Sequence, residues 1–155
     1  MAITDKRFNE HLDKILSTTT RILKEQNPGD YAITVFIITR DTVRINALLA
    51  LDDTSDVYTA LREFGNTVRR TVGSPLAVFV GAEAVSNPGT EAILIRGCTP
   101  DKRTNAGNVI IARDSTNNSC TIEVKPNYYS TGGPQVSEER NPAAIVMDAL
   151  LGREQ

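Results

Sequence analysis

Residues 91–125, EAILIRGCTPDKRTNAGNVIIARDSTNNSCTIEVK, decide the fold. Three runs within them, 91–98, 108–113 and 120–125, are rich in β-branched and apolar residues and read as strands. The link 114–119, Asp-Ser-Thr-Asn-Asn-Ser, consists of turn formers, whereas residues 99–107 form a longer polar loop. Three strands joined in this way make an antiparallel meander.

Upstream, residues 31–39 (Tyr-Ala-Ile-Thr-Val-Phe-Ile-Ile-Thr) are almost continuously apolar. That suits a central strand buried on both faces, or one covered by a helix and a partner. After the tight Arg40-Asp41 link, Val43, Ile45, Ala47 and Leu49 alternate with other residues, which predicts a half-buried antiparallel partner. Residues 76–85 read as a further strand, with Gly81 marking a bulge or a close backbone approach. The first helix starts at a Thr4 cap and carries Phe8, Leu12, Ile15, Thr19 and Ile22 at helical spacing, widened by Leu16 and Leu23. A second presents Val57, Leu61, Phe64, Val68 and Val72, and stops at Gly73 and Pro75. Residues 127–141 read as an irregular loop. A short terminal helix, 142–152, follows an Asn141 cap with Pro142 in the first helical position.

The order α-β-β-α-β-β-β-β-α predicts an α+β fold. Its single sheet of five to six strands is mainly antiparallel or mixed. A long N-terminal helix and a middle helix pack on one face of it, and a short helix ends the chain. The whole chain, residues 1–155, reads as one domain.

Net charge is −2 and the isoelectric point near 5.4, so no global basic field draws the protein to nucleic acid or an anionic membrane. No apolar run approaches the roughly 20 residues that cross a bilayer, and residues 1–7 lack an apolar signal region. Cys98 and Cys120 fall on the outer strands of the meander, too far apart for a disulfide, and read as reduced thiols of a cytoplasmic protein.

Pro100-Asp101, followed by Glu123-Val124-Lys125 on a strand, is the constellation closest to chemistry. Two carboxylates can hold Mg²⁺ with water and phosphate oxygens, and a lysine can orient the attacking water. The pattern resembles the PD-(D/E)xK nucleases. That resemblance implies a Mg-dependent phosphodiesterase with Asp101 and Glu123 on the metal and Lys125 at the water. The chain departs from the family in two respects: Asp101 stands in a loop ahead of its strand, and Pro126 follows the motif where the family continues into a helix. A solvated strand face carrying a charge pair explains the same residues.

The segments Ala82-Glu83-Ala84-Val85, Pro100-Asp101-Lys102-Arg103 and Val109-Ile110-Ile111-Ala112 resemble a group of small bacterial α+β proteins. About a quarter of the chain is involved. The resemblance implies no activity and makes the Asp101–Arg103 loop a structural element. Glu83 reads as an exposed acid at a strand end, His11 as a partly exposed helix residue, and Tyr128-Tyr129 as packing for the last loop. Glycine-rich phosphate loops, a G-x-S-x-G elbow and a zinc helix are missing from the sequence.

These readings favour a non-enzymatic interaction protein without cofactor, which binds a protein partner or a second copy of itself through a sheet edge or an apolar helix face. The alternative from another class is the Mg-dependent phosphodiesterase at Asp101, Glu123 and Lys125. A small molecule under the 99–107 loop is a third.

Overall fold

The computed structural model describes residues 2–25, 32–48, 56–84, 90–114, 119–127 and 141–153. In chain order the elements are α1 (Asp5–Glu25), β1 (Ile33–Ile38), β2 (Val43–Leu48), α2 (Val57–Val72), β3 (Ala77–Ala84), β4 (Thr90–Cys98), β5 (Thr104–Asp114), β6 (Ser119–Asn127) and α3 (Pro142–Leu151). The strands form one six-stranded sheet in the order β2-β1-β3-β4-β5-β6, and every pair is antiparallel. The expected α+β class, single sheet and three helices are therefore found.

Local chemistry sets the helix ends. The Thr4 hydroxyl accepts from the Arg7 N–H at 3.2 Å, and Asp5 sits in the first turn of α1. At α2 the Asp56 carboxylate accepts from the Tyr58 N–H at 3.0 Å and the Thr59 hydroxyl at 2.9 Å. Arg69 and Arg70 occupy its last turn, where the helix dipole favours cations. Asn141 caps α3 by accepting from the Ala143 N–H at 2.9 Å, and Gly152 ends it in the left-handed conformation.

The sheet is covered on both faces, not one. Val35 and Ile37 of β1, with Val78 and Val80 of β3, pack with α2 and α3. Phe36, Ile38, Ala77 and Phe79 point the other way, into a cluster with Phe8, Leu12, Ile15 and Leu16 of α1. The physical reason lies in the sequence of β1 and β3, where consecutive residues are apolar. Strand side chains alternate between faces, so helices on one side alone leave half of them in water. α3 lies against β3 and β4 and beneath α2. Ala143, Ile145, Val146, Met147, Ala149 and Leu150 are all buried there, as expected for a helix apolar around most of its circumference. Gly65 permits the close approach: a Cβ on it would lie 2.6 Å from that of Ala149.

The start of β5 differs from the sequence reading. β5 begins at Thr104, so the link from β4 is the five-residue turn 99–103 and not a loop to 107. Residues Asn105 and Gly107 resemble loop formers but serve α1. Asn105 donates to Asn9 Oδ1 at 3.1 Å, and a Cβ on Gly107 would come within 2.8 Å of Leu16. The ladder also runs unbroken through Gly81, without a bulge. Among the described residues, no helix is long and apolar enough to cross a membrane.

Candidate functional site

The 99–103 turn is a clamp. Lys102 N–H donates to Thr99 O at 3.0 Å across Pro100 and Asp101, and Lys102 takes φ +69°. This matches a three-residue hairpin loop with Pro at its favoured second position and a left-handed closing residue. Thr99 hydroxyl donates to Asp101 Oδ1 at 2.6 Å, and Arg103 Nε donates to both Asp101 oxygens at 3.1 and 3.0 Å. The Thr99 hydrogen bond, and after it Arg103, hold the Asp101 carboxyl below the usual carboxylate range. Arg103 extends further to Asp5 at 2.5 Å and to the Ile3 carbonyl at 2.6 Å, fastening the hairpin to the start of α1. Arg153, just beyond α3, donates to the Pro100 carbonyl at 2.9 Å.

The structure does not bring Asp101 and Glu123 together. The turn closes at the Cys98–Thr104 pair, and Glu123 lies opposite Ile110. Positions 104 and 110 of β5 are roughly 20 Å apart along the strand at about 3.3 Å per residue. Two oxygens on one Mg²⁺ lie within about 4 Å of each other. Glu123 is exposed on the edge strand β6, and Lys125 lies two positions further on, opposite Asn108. Among the described residues no three His, Cys, Asp or Glu side chains gather where they could hold a metal.

The remaining candidates are placed individually. Cys98 is buried and donates to the Thr99 carbonyl at 3.3 Å. Burial first, and the Asp148 charge second, push its thiol up to about 12, so it is inert at neutral pH. Cys98 pairs with Thr104 and Cys120 with Arg113, positions roughly 30 Å apart along β5, which rules out a disulfide between them. His11 is half-buried on α1. Its pKa is lowered by that burial and by the charges of Lys14 and Arg7. Glu83 is exposed, on the central strand β3. Tyr128 and Tyr129, and most of the 127–141 loop, lie outside the described residues.

The surface that the fold leaves open is at the other end of the sheet. Among the described residues β2 has no strand on its outer side. Val43 and Ile45, expected to be half-buried, are 51% and 58% exposed. The cause is the sheet order. β2 is outermost among the described strands, and Val43 and Ile45 stand opposite Ile38 and Phe36, on the face whose main contacts with α1 lie along β4, β5 and β6. The opposite face of β2 carries Arg44 and Asn46. Arg44 Nη1 donates to the Thr71 hydroxyl at 3.0 Å, which ties the edge to the last turn of α2. Beside it is a hollow of ≈420 Å³ lined by Ile37, Thr39, Thr42, Val43, Arg44, Thr71 and Val72. Sequence reasoning missed this region because alternation reports that a strand has two faces, not which strand is last in the sheet.

Set against protein-family models, curated proteins and solved structures, the chain shows no significant match to any of them.

Proposed function

We propose that the protein is a non-enzymatic interaction module that accepts an extended segment along the outer edge of β2. The observation that carries this is the exposure of Val43 and Ile45 on an unpaired edge strand, next to a β1 buried on both faces. An edge strand offers a row of free N–H and C=O groups, and an added strand gains main-chain hydrogen bonds from it. Side chains of such a strand alternate between faces. One set falls on the apolar Val43–Ile45 strip and the other on the Arg44 hollow, so the two surfaces select at alternate positions. The apolar run of β1 does not supply this surface, because Val35, Phe36, Ile37 and Ile38 are buried within the chain. A phosphodiesterase at Asp101, Glu123 and Lys125 lacks comparable support, since the β5 register separates the two carboxylates. A cytoplasmic location belongs to the same proposal, resting on thiols that the fold keeps apart.

Amide hydrogen exchange tests the edge. Across a rising concentration series, the amides of β2 are expected to gain protection in step with the mass from light scattering, while those of β6 stay unchanged. An assembly that forms with β2 still exchanging freely would locate the contact elsewhere and defeat the proposal.

A further inference from the structure

We propose that the hollow between the β1–β2 turn and the last turn of α2 binds a small molecule with an oxyanion head, phosphate or carboxylate, on a compact apolar body. The hollow is formed within one chain, so it does not depend on what occupies the outer edge of β2. Its volume of ≈420 Å³ falls among small-molecule sites, which span roughly 300–1,000 Å³. Strand pairing sets Ile37 opposite Arg44, and the Thr39 N–H donates to the Thr42 carbonyl at the turn. Thr71 and Val72 close the hollow from α2. Ile37, Val43 and Val72 give it apolar surface, and Arg44 with the three threonines gives it polar groups. Among the described residues no carboxylate lines it.

The polar groups are set to donate. Arg44 Nη1 donates to the Thr71 hydroxyl at 3.0 Å, and that hydroxyl gives its own proton to the Val68 carbonyl at 2.9 Å. The guanidinium is thereby held at the hollow through one nitrogen, with the other two left to donate. Among the described residues no carboxylate pairs with Arg44. The Thr42 carbonyl already accepts from the Thr39 N–H at 2.9 Å. The Thr39 hydroxyl, 3.1 Å from that carbonyl, is therefore free to donate instead to Thr42 Oγ1 at 2.8 Å. That leaves the Thr42 proton for a ligand. A guanidinium in water gains most from a ligand of opposite charge, and its planar fork takes two oxygens of a phosphate or carboxylate at once. The last carbonyls of α2 oppose an anion, but Arg69 and Arg70 in the same turn offset them. Arg40 and Asp41, in the turn beside the hollow, balance each other in charge. The apolar surface beside these donors is what selects a body attached to the head.

The test titrates the full chain with phenyl phosphate and benzoate, with their bare heads inorganic phosphate and acetate, and with neutral phenol, read by amide NMR. Phenyl phosphate or benzoate is expected to give saturable shifts at Thr42, Arg44, Thr71 and Val72. The 99–103 turn should stay silent, because Arg103 is already engaged with Asp5 and Asp101. The tighter of the two probes names the head. Each bare head is expected to bind about tenfold more weakly than its phenyl counterpart, for want of the apolar surface that the ring buries. Arg44→Met keeps the aliphatic stem and removes the charge. It should weaken binding by about tenfold or more, the loss of a charge-assisted hydrogen bond, with an unchanged circular dichroism spectrum. Thr42→Val should weaken it by about fivefold, the loss of one ordinary hydrogen bond. Phenol binding as tightly as the anionic probes overturns the proposal, as does full affinity in Arg44→Met. So does the absence of saturable shifts at the highest soluble probe concentration. Bare heads that bind as well as the phenyl compounds overturn the apolar body. None of these results bears on strand pairing at the outer edge of β2, which hydrogen exchange reads separately.

Discussion

The β4–β5 hairpin end and the outer edge of β2 belong to the same sheet but treat their side chains in opposite ways. At the hairpin end Thr99, Asp101, Arg103 and Asn105 are polar residues with partners inside the molecule, several of them nearly a hundred positions away on α1. At β2 the residues are apolar and face water. Charged, loop-borne residues attract attention as chemistry, yet here they hold two elements together. The region open to a partner is a plain strand with two exposed aliphatic side chains. Function is therefore better sought where the fold leaves groups unused than where it collects charges.

The largest effect is expected where the two halves of the sheet share the α1 core. Phe79 is fully buried, with its ring 5.4 Å from that of Phe8. Phe79→Ala should cost about 3–5 kcal/mol and lower Tm by on the order of 10 °C. Calorimetry checks this. A drop of only a degree or two would mean that the core on this face closes around the loss, and that α1 is held less firmly than the geometry indicates.

Next comes the clamp. Arg103→Ala removes hydrogen bonds to Asp5, Asp101 and the Ile3 carbonyl from a side chain only 15% exposed. Charge-assisted bonds of this kind support a loss of about 2 kcal/mol by denaturant titration. Asp101→Asn should cost less, because its carboxylate is 55% exposed and screened by solvent. Its pH dependence is the sharper readout. A carboxyl whose pKa is lower folded than unfolded contributes stability above the unfolded pKa, and loses it as pH falls through the folded one. The gap between wild type and Asp101→Asn should therefore be full at neutral pH and vanish in acid, below the ordinary carboxylate range. A gap that is flat with pH would remove Asp101 from the clamp.

A stabilising change of about 1 kcal/mol is expected on α1. Thr19 is fully buried, and its hydroxyl has no hydrogen-bond partner among the described residues. Thr19→Val keeps the shape and deletes the unsatisfied group. A rise in Tm of a few degrees is the predicted result, and a fall would reveal a partner for that hydroxyl.

Much of this contrast was legible residue by residue, and the rest was not, for reasons of geometry. β1 announced its place inside the sheet because residues 35–38 leave no polar position for a solvent face. Asn141, Pro142 and Gly152 spelled out both ends of α3. The start of β5 was hidden because Asn105 and Gly107 have turn-forming chemistry, and their roles appear only when α1 lies over them. Asp101 and Glu123 were sound types for a metal site, but residue type does not specify distance, which the strand register sets. The openness of β2 depends on strand order and on where α1 crosses the sheet, and neither is written in residues 43–48.

The smallest effect on stability is the one that separates the two regions most cleanly. Ile45→Thr keeps the β-branched shape that suits a strand and replaces an exposed apolar surface by a hydroxyl. Within one chain Ile45 is 58% in water, so the change should alter stability by less than about 0.5 kcal/mol. Anything at the hairpin end that is as neutral to the fold should be neutral to association too, because those groups are already used. At β2 the two readouts should part: an unchanged unfolding curve at low concentration, and weakened association by light scattering at high concentration. If Ile45→Thr instead lowered the stability of the monomer by a kilocalorie or more, the edge would be holding its own chain together, and the distinction between a clamped end and an open one would dissolve.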